Sequence, residues 1–213
     1  MTGTISAILV IVVAVLVTIG WRLASSRRSL PCPVWLRWLV ELDNPFTKTN
    51  RASFIVESLA VSPGMTVLDA GCGPGRLTVP LATSVGPTGH VVAFDLQPGM
   101  LARAKAKTES AGYTNTEFVA GSLGDGMLPA NHFDRAVLVT VLGEIPDRTA
   151  ALTELFRTLK PGGILAIVEV IFDPHFQSRK TVTDLSASTG LRERAFFGHS
   201  WAYVIHFEKP NEV

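Results

Sequence analysis

Cysteine is scarce in this sequence, which holds two among its 213 residues, Cys32 and Cys72. Two cysteines so far apart exclude a disulfide framework and a cysteine-rich zinc site, and they fit a reducing compartment. A basic run is missing as well, because 19 lysines and arginines stand against 18 acidic residues for a net charge of +1. Nucleic-acid-binding domains usually carry a basic stripe, so we expect no nucleic-acid partner.

Charged side chains are absent from residues 1–21, and residues 5–21, ISAILVIVVAVLVTIGW, are almost wholly apolar. As a helix this stretch extends about 25 Å, and its flanks bring it near the ~30 Å hydrocarbon core of a bilayer. A buried strand is too short to use this length. A signal peptide requires a basic start, and MTGT has none. We therefore expect residues 1–24 to form one transmembrane anchor in contact with the lipid bilayer.

Positive charge follows this span at once, at Arg22, Arg27 and Arg28. Basic residues beside a span stay on the cytoplasmic side of the membrane. The sequence therefore predicts a single-pass membrane protein whose main domain lies on the cytoplasmic side.

The segment of residues 25–46 begins as a proline-containing linker and continues as VWLRWLVEL. Its large apolar residues are spaced by three or four positions, which predicts an amphipathic helix with one tryptophan-rich face: Trp35, Trp38, Leu39 and Leu42. Two interpretations stay open for that face. It packs on the following domain, or it lies in the membrane interface.

Short apolar runs alternate with helical patterns over residues 47–213. Five runs predict strands, at 66–70, 90–94, 116–119, 136–141 and 164–170. Helical patterns fall at 47–61, 77–85, 98–111 and 150–159. This alternation predicts an α/β fold with a doubly wound, Rossmann-like, mostly parallel sheet. Two further runs within 191–209 predict a C-terminal antiparallel hairpin, which brings the sheet to seven strands.

The most specific segment is VLDAGCGPG, in which Gly71, Gly73 and Gly75 follow the first predicted strand. Glycine permits a sharp turn and a close approach to a ligand, because no Cβ intervenes. A dinucleotide-binding fold uses G-x-G-x-x-G, and that spacing is missing. Asp69, two residues before the first glycine, instead suits a ligand with an ammonium group.

A second acid, Asp95, ends the next apolar run, VVAFD. A carboxylate at the tip of the second parallel strand can accept hydrogen bonds from both ribose hydroxyls of a nucleoside. A solvated aspartate and a merely turn-forming glycine cluster are the alternatives. Strand, glycine motif, helix, strand and acid nevertheless occur in the order that a nucleoside site requires.

These residues resemble the class I S-adenosylmethionine-dependent methyltransferases over about residues 47–209. The D/E-x-G-x-G-x-G signature of that family stands here as DAGCGPG from Asp69, its F-D as Phe133 and Asp134, and its L-K-P-G-G as LKPGG from Leu159. The layout is similar to the ubiquinone/menaquinone and related small-molecule or lipid methyltransferases. The resemblance implies S-adenosylmethionine as cofactor, no metal, and these cofactor-binding residues: Asp69, Gly71, Cys72, Gly73, Gly75, Asp95, Leu96, Ser122 and Thr140.

The family usually has an acid after the third strand, where it meets the adenine amino group. Here the chain reads AGSL, and the next acid is Asp125. Ser122 is then the expected partner of the adenine, through a weaker hydrogen bond, while Leu96 packs against the ring.

Catalysis in such enzymes is largely alignment of the acceptor with the reactive methyl group, sometimes with a general base. The candidates follow the fourth and fifth strands: Glu144, and His175 just beyond Glu169 and Asp173. Imidazole titrates near neutral pH and so suits a base. A structural partner and a surface histidine are the respective alternatives. An N-P-P-Y tetrapeptide is missing, which argues against methylation of base or glutamine amino groups.

The favoured function is methyl transfer to a hydrophobic or membrane-partitioned acceptor, such as a phospholipid amine, a quinone precursor or a sterol-like lipid, because the anchor holds the domain beside the bilayer. A small lipophilic thiol or another soluble metabolite is the alternative acceptor. A non-catalytic, cofactor-binding membrane scaffold and a nicotinamide-dependent oxidoreductase are the other possible functions, and the missing G-x-G-x-x-G spacing argues against the last.

Overall fold

The computed structural model describes residues 47–211, together with the isolated residues Val13 and Gly20. The predicted anchor at 1–24 and the juxtamembrane segment at 25–46 therefore lie outside the continuous part that is described. Among the described residues, no helix combines the length and the apolar character that crossing a membrane requires.

A seven-stranded mixed sheet forms the centre of the described chain. Its strands are β1 (Thr66–Ala70), β2 (His90–Asp95), β3 (Thr116–Ala120), β4 (Phe133–Val139), β5 (Leu159–Val170), β6 (Arg192–His199) and β7 (Ala202–Glu208). They lie in the order β3-β2-β1-β4-β5-β7-β6. Strands β1 to β5 are parallel, and β7 runs antiparallel to both β5 and β6. The predicted Rossmann-like sheet with a C-terminal hairpin is thus confirmed.

Within residues 47–211, five α-helices accompany the strands: α1 (Ala52–Ser58), α2 (Thr78–Val85), α3 (Pro98–Ser110), α4 (Arg148–Thr158) and α5 (Arg179–Ser188). The helix predicted over 47–61 is shorter, because Arg51 is extended and separates a 3₁₀ turn at Lys48–Asn50 from α1. The sequence did not reveal α5, which buries two residues, Val182 and Ser186, and so has no wide apolar stripe.

Helices cover both faces of the sheet. Leu152 and Leu155 of α4 and Val182 of α5 pack on one face with apolar residues of β4, β5 and β7. Helices α1 and α2 pack on the other face against β1, β4 and β5, and α3 covers β2 and β3 beside them. Because both faces are buried, the central strands have the continuous apolar runs typical of a parallel sheet.

Two of the family motifs stabilise the amino edge of the sheet, opposite the ligand edge. Lys160 Nζ lies 2.8 Å from Asp134 Oδ1, and the Thr66 amide donates to Asp134 Oδ2 at 2.8 Å. Leu159 pairs with Phe133, so β5 begins five residues earlier than its apolar run predicts. The motifs at Phe133 and Leu159 therefore support the sheet rather than a ligand.

Candidate active site

The loop after β1 turns through glycines that have left-handed backbone angles, with φ of 71° at Gly71, 52° at Gly73 and 84° at Gly75. A Cβ on Gly71 would overlap the Val141 side chain, and a Cβ on Gly75 would lie 2.9 Å from the Cα of Ala104 in α3. Both positions therefore require glycine, for backbone angle and for space. The third glycine serves close packing against α3.

Asp95 is buried at the carboxyl end of β2. Its Oδ2 accepts a hydrogen bond from the Gly73 amide and its Oδ1 from the Gln97 amide, both at 2.8 Å. Burial raises the pKa of this carboxyl, against the lowering effect of the two amides. Because each carboxylate oxygen has a second lone pair, both oxygens can still accept a hydroxyl. The loop thus holds the acid in a fixed orientation that suits a ribose diol.

Asp69 is buried at the end of β1, where its Oδ2 accepts a hydrogen bond from the Thr78 hydroxyl at 2.7 Å. Burial, and to a lesser extent the charge of Asp95, raise its pKa to about 6 although the Thr78 hydroxyl opposes this. Two buried carboxylates beside each other favour a positively charged ligand, since a cation lowers the cost of keeping both ionised.

Leu96 and Ser122 lie at the ends of neighbouring strands. Leu96 exposes more than half of its side chain directly after Asp95 and so offers an apolar surface to a planar ring. Ser122 is half-buried two residues beyond β3, and its carbonyl accepts from the Asp125 amide. Their positions agree with the adenine contacts that the resemblance implies, and those contacts stay predictions.

Thr140 follows β4 directly and has φ of 54°, an uncommon conformation for a β-branched residue. Its amide donates to the Val168 carbonyl at 2.9 Å, so β5 fixes this backbone. Strained non-glycine residues cluster at functional sites, and Thr140 lies beside Val141, which packs on Gly71. Cys72 differs, because its thiol packs with Ala93, Leu101 and Ala104. Its side chain therefore serves packing.

The family model for the methyltransferase domain matches residues 61–201. The chain belongs to that family. The prediction from the glycine motif is thereby confirmed, and so is S-adenosylmethionine as the cofactor.

Curated relatives support the same assignment at moderate identity. A demethylmenaquinone methyltransferase of Listeria welshimeri is 34% identical over 111 residues, which cover 52% of this chain and 47% of that protein. A ubiquinone/menaquinone biosynthesis C-methyltransferase of Shewanella halifaxensis is 34% identical over 128 residues, which cover 60% and 51%. The chain thus spans about half the length of the curated relatives that it matches.

Solved structures share the fold. A SAM-dependent methyltransferase from Aquifex aeolicus superposes with a TM-score of 0.74 at 23% identity and covers 83% of this chain and 98% of its own. The [4+2]-cyclase SpnF reaches a TM-score of 0.68 at 17% identity, with 76% and 81% covered. At such identities the likeness concerns the fold alone.

The residues of this edge fit S-adenosylmethionine. Its sulfonium and ammonium groups would offset the two buried carboxylates, Asp69 and Asp95, and Asp95 presents its oxygens where a ribose is expected. The left-handed loop at Gly71 and Gly73 lets the backbone approach the ligand closely. We therefore expect the cofactor to bind in a cradle formed by the ends of β1 and β2 and the loop between β1 and α2.

The predicted catalytic candidates come together at the carboxyl ends of β4 and β5. Glu144 is half-buried in a 3₁₀ turn after β4, and His175 is buried after β5. The two loops touch, because a Cβ on Gly143 would collide with the His175 carbonyl. The His175 amide donates to Asp173 Oδ1 at 2.7 Å. Their roles as bases stay predictions.

Glu169 is the most perturbed acid at this end of the sheet, and the sequence did not single it out as a site residue. Its carboxyl faces α4 and α5 with a relative exposure of 1%. The Gln177 amide donates to Oε2 at 3.0 Å, whereas Oε1 has no hydrogen-bond partner among the described residues. Burial, and less strongly the charges of Asp173 and Glu144, raise its pKa to about 8 against the Gln177 amide and Arg148.

The signal that could have revealed Glu169 is its place in ILAIVEV. An acid inside an apolar strand that is covered on both faces points to a buried carboxyl, and burial raises the pKa of a carboxyl. Strand alternation puts Glu169 on the same face as Leu165 and Ile167. Its cross-strand neighbour is Tyr203, whose hydroxyl donates to the Gln177 carbonyl at 2.7 Å.

Proposed function

We propose that this protein transfers the methyl group of S-adenosylmethionine to a hydrophobic, membrane-partitioned acceptor, and that the acceptor is a ring carbon of a quinone precursor. The observation that carries the cofactor part is the buried Asp95 carboxylate, held by the Gly73 and Gln97 amides beside Leu96. The acceptor class is supported by the relatives named for methylation in menaquinone and ubiquinone biosynthesis.

S-adenosylmethionine supplies a methyl group on positively charged sulfur, which needs no further activation. What the chain must add is alignment of the acceptor and removal of the proton that the methylated ring carbon loses. Glu144 is the side chain that we assign to this proton, because it is half-buried beside the loop that carries Thr140. Its neighbour Glu169 holds its own proton at neutral pH and is therefore unsuited to be the base.

The proposal includes the membrane. We infer that residues 1–24 anchor the protein as a single-pass span with the methyltransferase domain on the cytoplasmic side. A tether of this kind raises the effective concentration of an acceptor that is dissolved in the same bilayer, and it gives no such advantage for a water-soluble acceptor.

Methyl transfer from labelled S-adenosylmethionine tests the acceptor class. Full-length protein in vesicles would be given a demethylated menaquinol, phosphatidylethanolamine or a small lipophilic thiol in parallel, and each product would be identified by mass spectrometry. We expect label on a ring carbon of the quinol. Glu144→Gln should lower the turnover at unchanged cofactor affinity, with Asp147→Asn, an exposed helix-capping acid, as the matched control. Label on the thiol alone would overturn the acceptor class.

Removal of residues 1–28 tests the tether. The truncated protein should keep its rate on the quinol dispersed in detergent and lose most of it on the same quinol in vesicles. Equal rates of full-length and truncated protein on vesicles would contradict the membrane part of the proposal. Cofactor binding without transfer to any of the three acceptors would favour a cofactor-binding scaffold.

A further inference from the structure

Exposed apolar side chains of the described chain gather on one edge of the sheet. Within residues 47–211, five large apolar residues are substantially exposed: Leu96, Met127, Ile171, Phe172 and Trp201. Leu96 follows β2 and is assigned to the adenine. The others lie at the same edge. Met127 follows β3, Ile171 and Phe172 follow β5, and Trp201 lies in the turn between β6 and β7.

Ile171, Phe172 and Trp201 lie at the end of β5 and in the adjoining hairpin turn, and we call these three residues the patch. Phe172 is 68% exposed, Trp201 44% and Ile171 39%. The Ile171 amide donates to the Trp201 carbonyl at 2.7 Å, so the end of β5 and the hairpin turn are joined. The indole of Trp201 stacks on the His199 ring at 5.9 Å. A tryptophan with one apolar face and a polar N–H suits the boundary between water and lipid.

Met127 extends the apolar surface on the far side of the cofactor cradle. Its sulfur would lie 2.8 Å from a Cβ on Gly121, the residue that follows β3 directly. Met127 therefore lies above the end of β3, while the patch lies above the end of β5 and the start of β7. Neighbouring strands are roughly 5 Å apart, so these apolar side chains flank the site from both sides.

The chain enters the described part at this same edge. A Cβ on Gly198 in the hairpin would lie 2.9 Å from the Thr49 side chain. Arg76, next to the glycine loop, donates to the Asn50 carbonyl at 2.6 Å. The 46 residues before Thr47, with their uncharged apolar stretch at 5–21, are thus attached beside the patch rather than at the opposite edge.

We propose that Met127, Ile171, Phe172 and Trp201 dock the carboxyl edge of the sheet on a phospholipid bilayer. This inference rests on the proposed function, because docking brings the mouth of the site to an acceptor that is dissolved in the membrane. The geometry fits one occupant, a lipid surface. Thr49, close to the start of the described chain, lies at this same edge beside Gly198 of the hairpin, and this favours a membrane over a second copy as the occupant.

A solvatochromic label on single cysteines tests the docking. The full-length chain with Cys32→Ser would carry Phe172→Cys or Met127→Cys and be labelled with a nitrobenzoxadiazole dye. Cys72 is buried, and burial raises the pKa of its thiol, so it should not react. The matched control is Glu109→Cys, an exposed position near the end of α3 at the opposite edge. Vesicles of phosphatidylcholine and phosphatidylglycerol would contain doxyl-labelled lipid as quencher.

The docking predicts a blue-shifted emission that doxyl lipid quenches at positions 172 and 127, and aqueous, unquenched emission at position 109. Adding Phe172→Ser and Trp201→Ser to the Met127→Cys protein should lower the equilibrium constant for docking by about tenfold or more for each side chain, because burying one such residue contributes roughly 1.5–3 kcal/mol.

Aqueous emission at all three positions would overturn the docking. A blue shift without quenching by doxyl lipid would overturn it too, since residues 34–46 or a second copy would then cover the patch. The two proposals fail separately. Quinol methylation in vesicles with an aqueous label at 172 removes the docking alone, and a quenched label without any methyl transfer removes the proposed function alone.

Discussion

The two halves of the carboxyl edge satisfy their buried acids in different ways. In the cofactor half, formed by the ends of β1 and β2, Asp69 and Asp95 accept hydrogen bonds from Thr78, Gly73 and Gln97. In the acceptor half, formed by the ends of β4 and β5, Glu169 Oε1 and Arg148 Nε are buried without a partner among the described residues.

The buried acids of the cofactor half thus have hydrogen-bond partners within the described chain, whereas Glu169 Oε1 in the acceptor half has none there. In the cofactor half, backbone amides of the loops orient Asp95 before the cofactor binds, as a preorganised binding site requires. The acceptor half keeps unsatisfied polar groups, which cost free energy in the isolated fold. The first half should therefore respond to substitution mainly in cofactor affinity, and the second mainly in stability and its dependence on pH.

The largest expected effect is on cofactor affinity. Asp95→Ala should weaken S-adenosylmethionine binding by about 2–4 kcal/mol, because two hydroxyl hydrogen bonds to a charged oxygen are lost and the Gly73 amide loses the acceptor that orients the loop. Calorimetry measures it. Asp125→Ala removes an exposed acid beyond β3 and is the matched control. An unchanged dissociation constant for Asp95→Ala would refute the ribose assignment. The two halves would then no longer differ in their effect on cofactor affinity.

The cofactor half could be predicted from sequence for a physical reason. Its function depends on backbone shape, and a left-handed loop beside α3 leaves no choice but glycine, as Gly71 and Gly75 show. The same reasoning located the strands, because β1 and β2 are buried apolar runs with turn residues at their ends. The order of strands, glycines and acids along the sequence was therefore sufficient to predict where the cofactor binds.

The acceptor half could not be predicted to the same depth. The perturbation of Glu169 depends on the burial that α4, α5 and β7 provide together, and the sequence did not reveal α5. Local pattern also misplaced the boundaries of β4 and β5, since the pairing of Phe133 with Leu159 is a long-range contact. Cys72 is predicted to bind the cofactor, and because its side chain packs with Ala93 and Ala104, such a contact would come from its backbone.

Glu169→Gln tests the acceptor half through the pH dependence of the free energy of unfolding. The carboxyl has a pKa near 4.5 when unfolded and about 8 when folded, so the folded state holds the extra proton between these values. Stability of the native protein should therefore fall by roughly 2–4 kcal/mol as pH rises from 5 to 8. The glutamine variant cannot ionise and should lack this loss, so that it becomes the more stable protein at pH 8. Urea unfolding at both pH values measures this.

Glu154→Gln is the matched control for that experiment. Glu154 is also a buried acid and lies in α4. Both of its oxygens accept hydrogen bonds from backbone amides, those of Gly124 at 2.6 Å and Leu128 at 3.0 Å. Replacing this carboxylate should destabilise the fold at every pH by about 1–3 kcal/mol. If the two glutamine variants behave alike, the unsatisfied Oε1 of Glu169 has no energetic consequence.

Gly75→Ala measures the steric constraint on the cofactor half. The new methyl group would meet the backbone of Ala104 at 2.9 Å while φ is 84°, and backbone cannot rotate away as a side chain can. We expect a loss of stability of about 2–3 kcal/mol, of which left-handed strain supplies roughly 1–2. Gly112→Ala, with φ of 82° and no atom within 4 Å of the new Cβ, should lose the strain part alone. Equal losses would show that packing against α3 is not what requires Gly75.

The smallest expected effect on stability concerns Thr140, which lies at the boundary between the two halves. Thr140 has φ of 54° at the end of β4, and Ala60 has φ of 50° beyond α1, remote from the site. Replacing either by glycine relieves a strain of about 1–2 kcal/mol and adds about 0.5–1 kcal/mol of unfolded-state entropy, so each should gain at most about 1.5 kcal/mol of stability. Thr140→Gly should also weaken cofactor binding, because backbone strain at a functional site contributes to preorganisation of that site. Ala60→Gly should leave cofactor binding unchanged. Thermal unfolding and calorimetry on the two variants give both quantities, and unchanged cofactor affinity in Thr140→Gly would remove Thr140 from the cofactor-binding set.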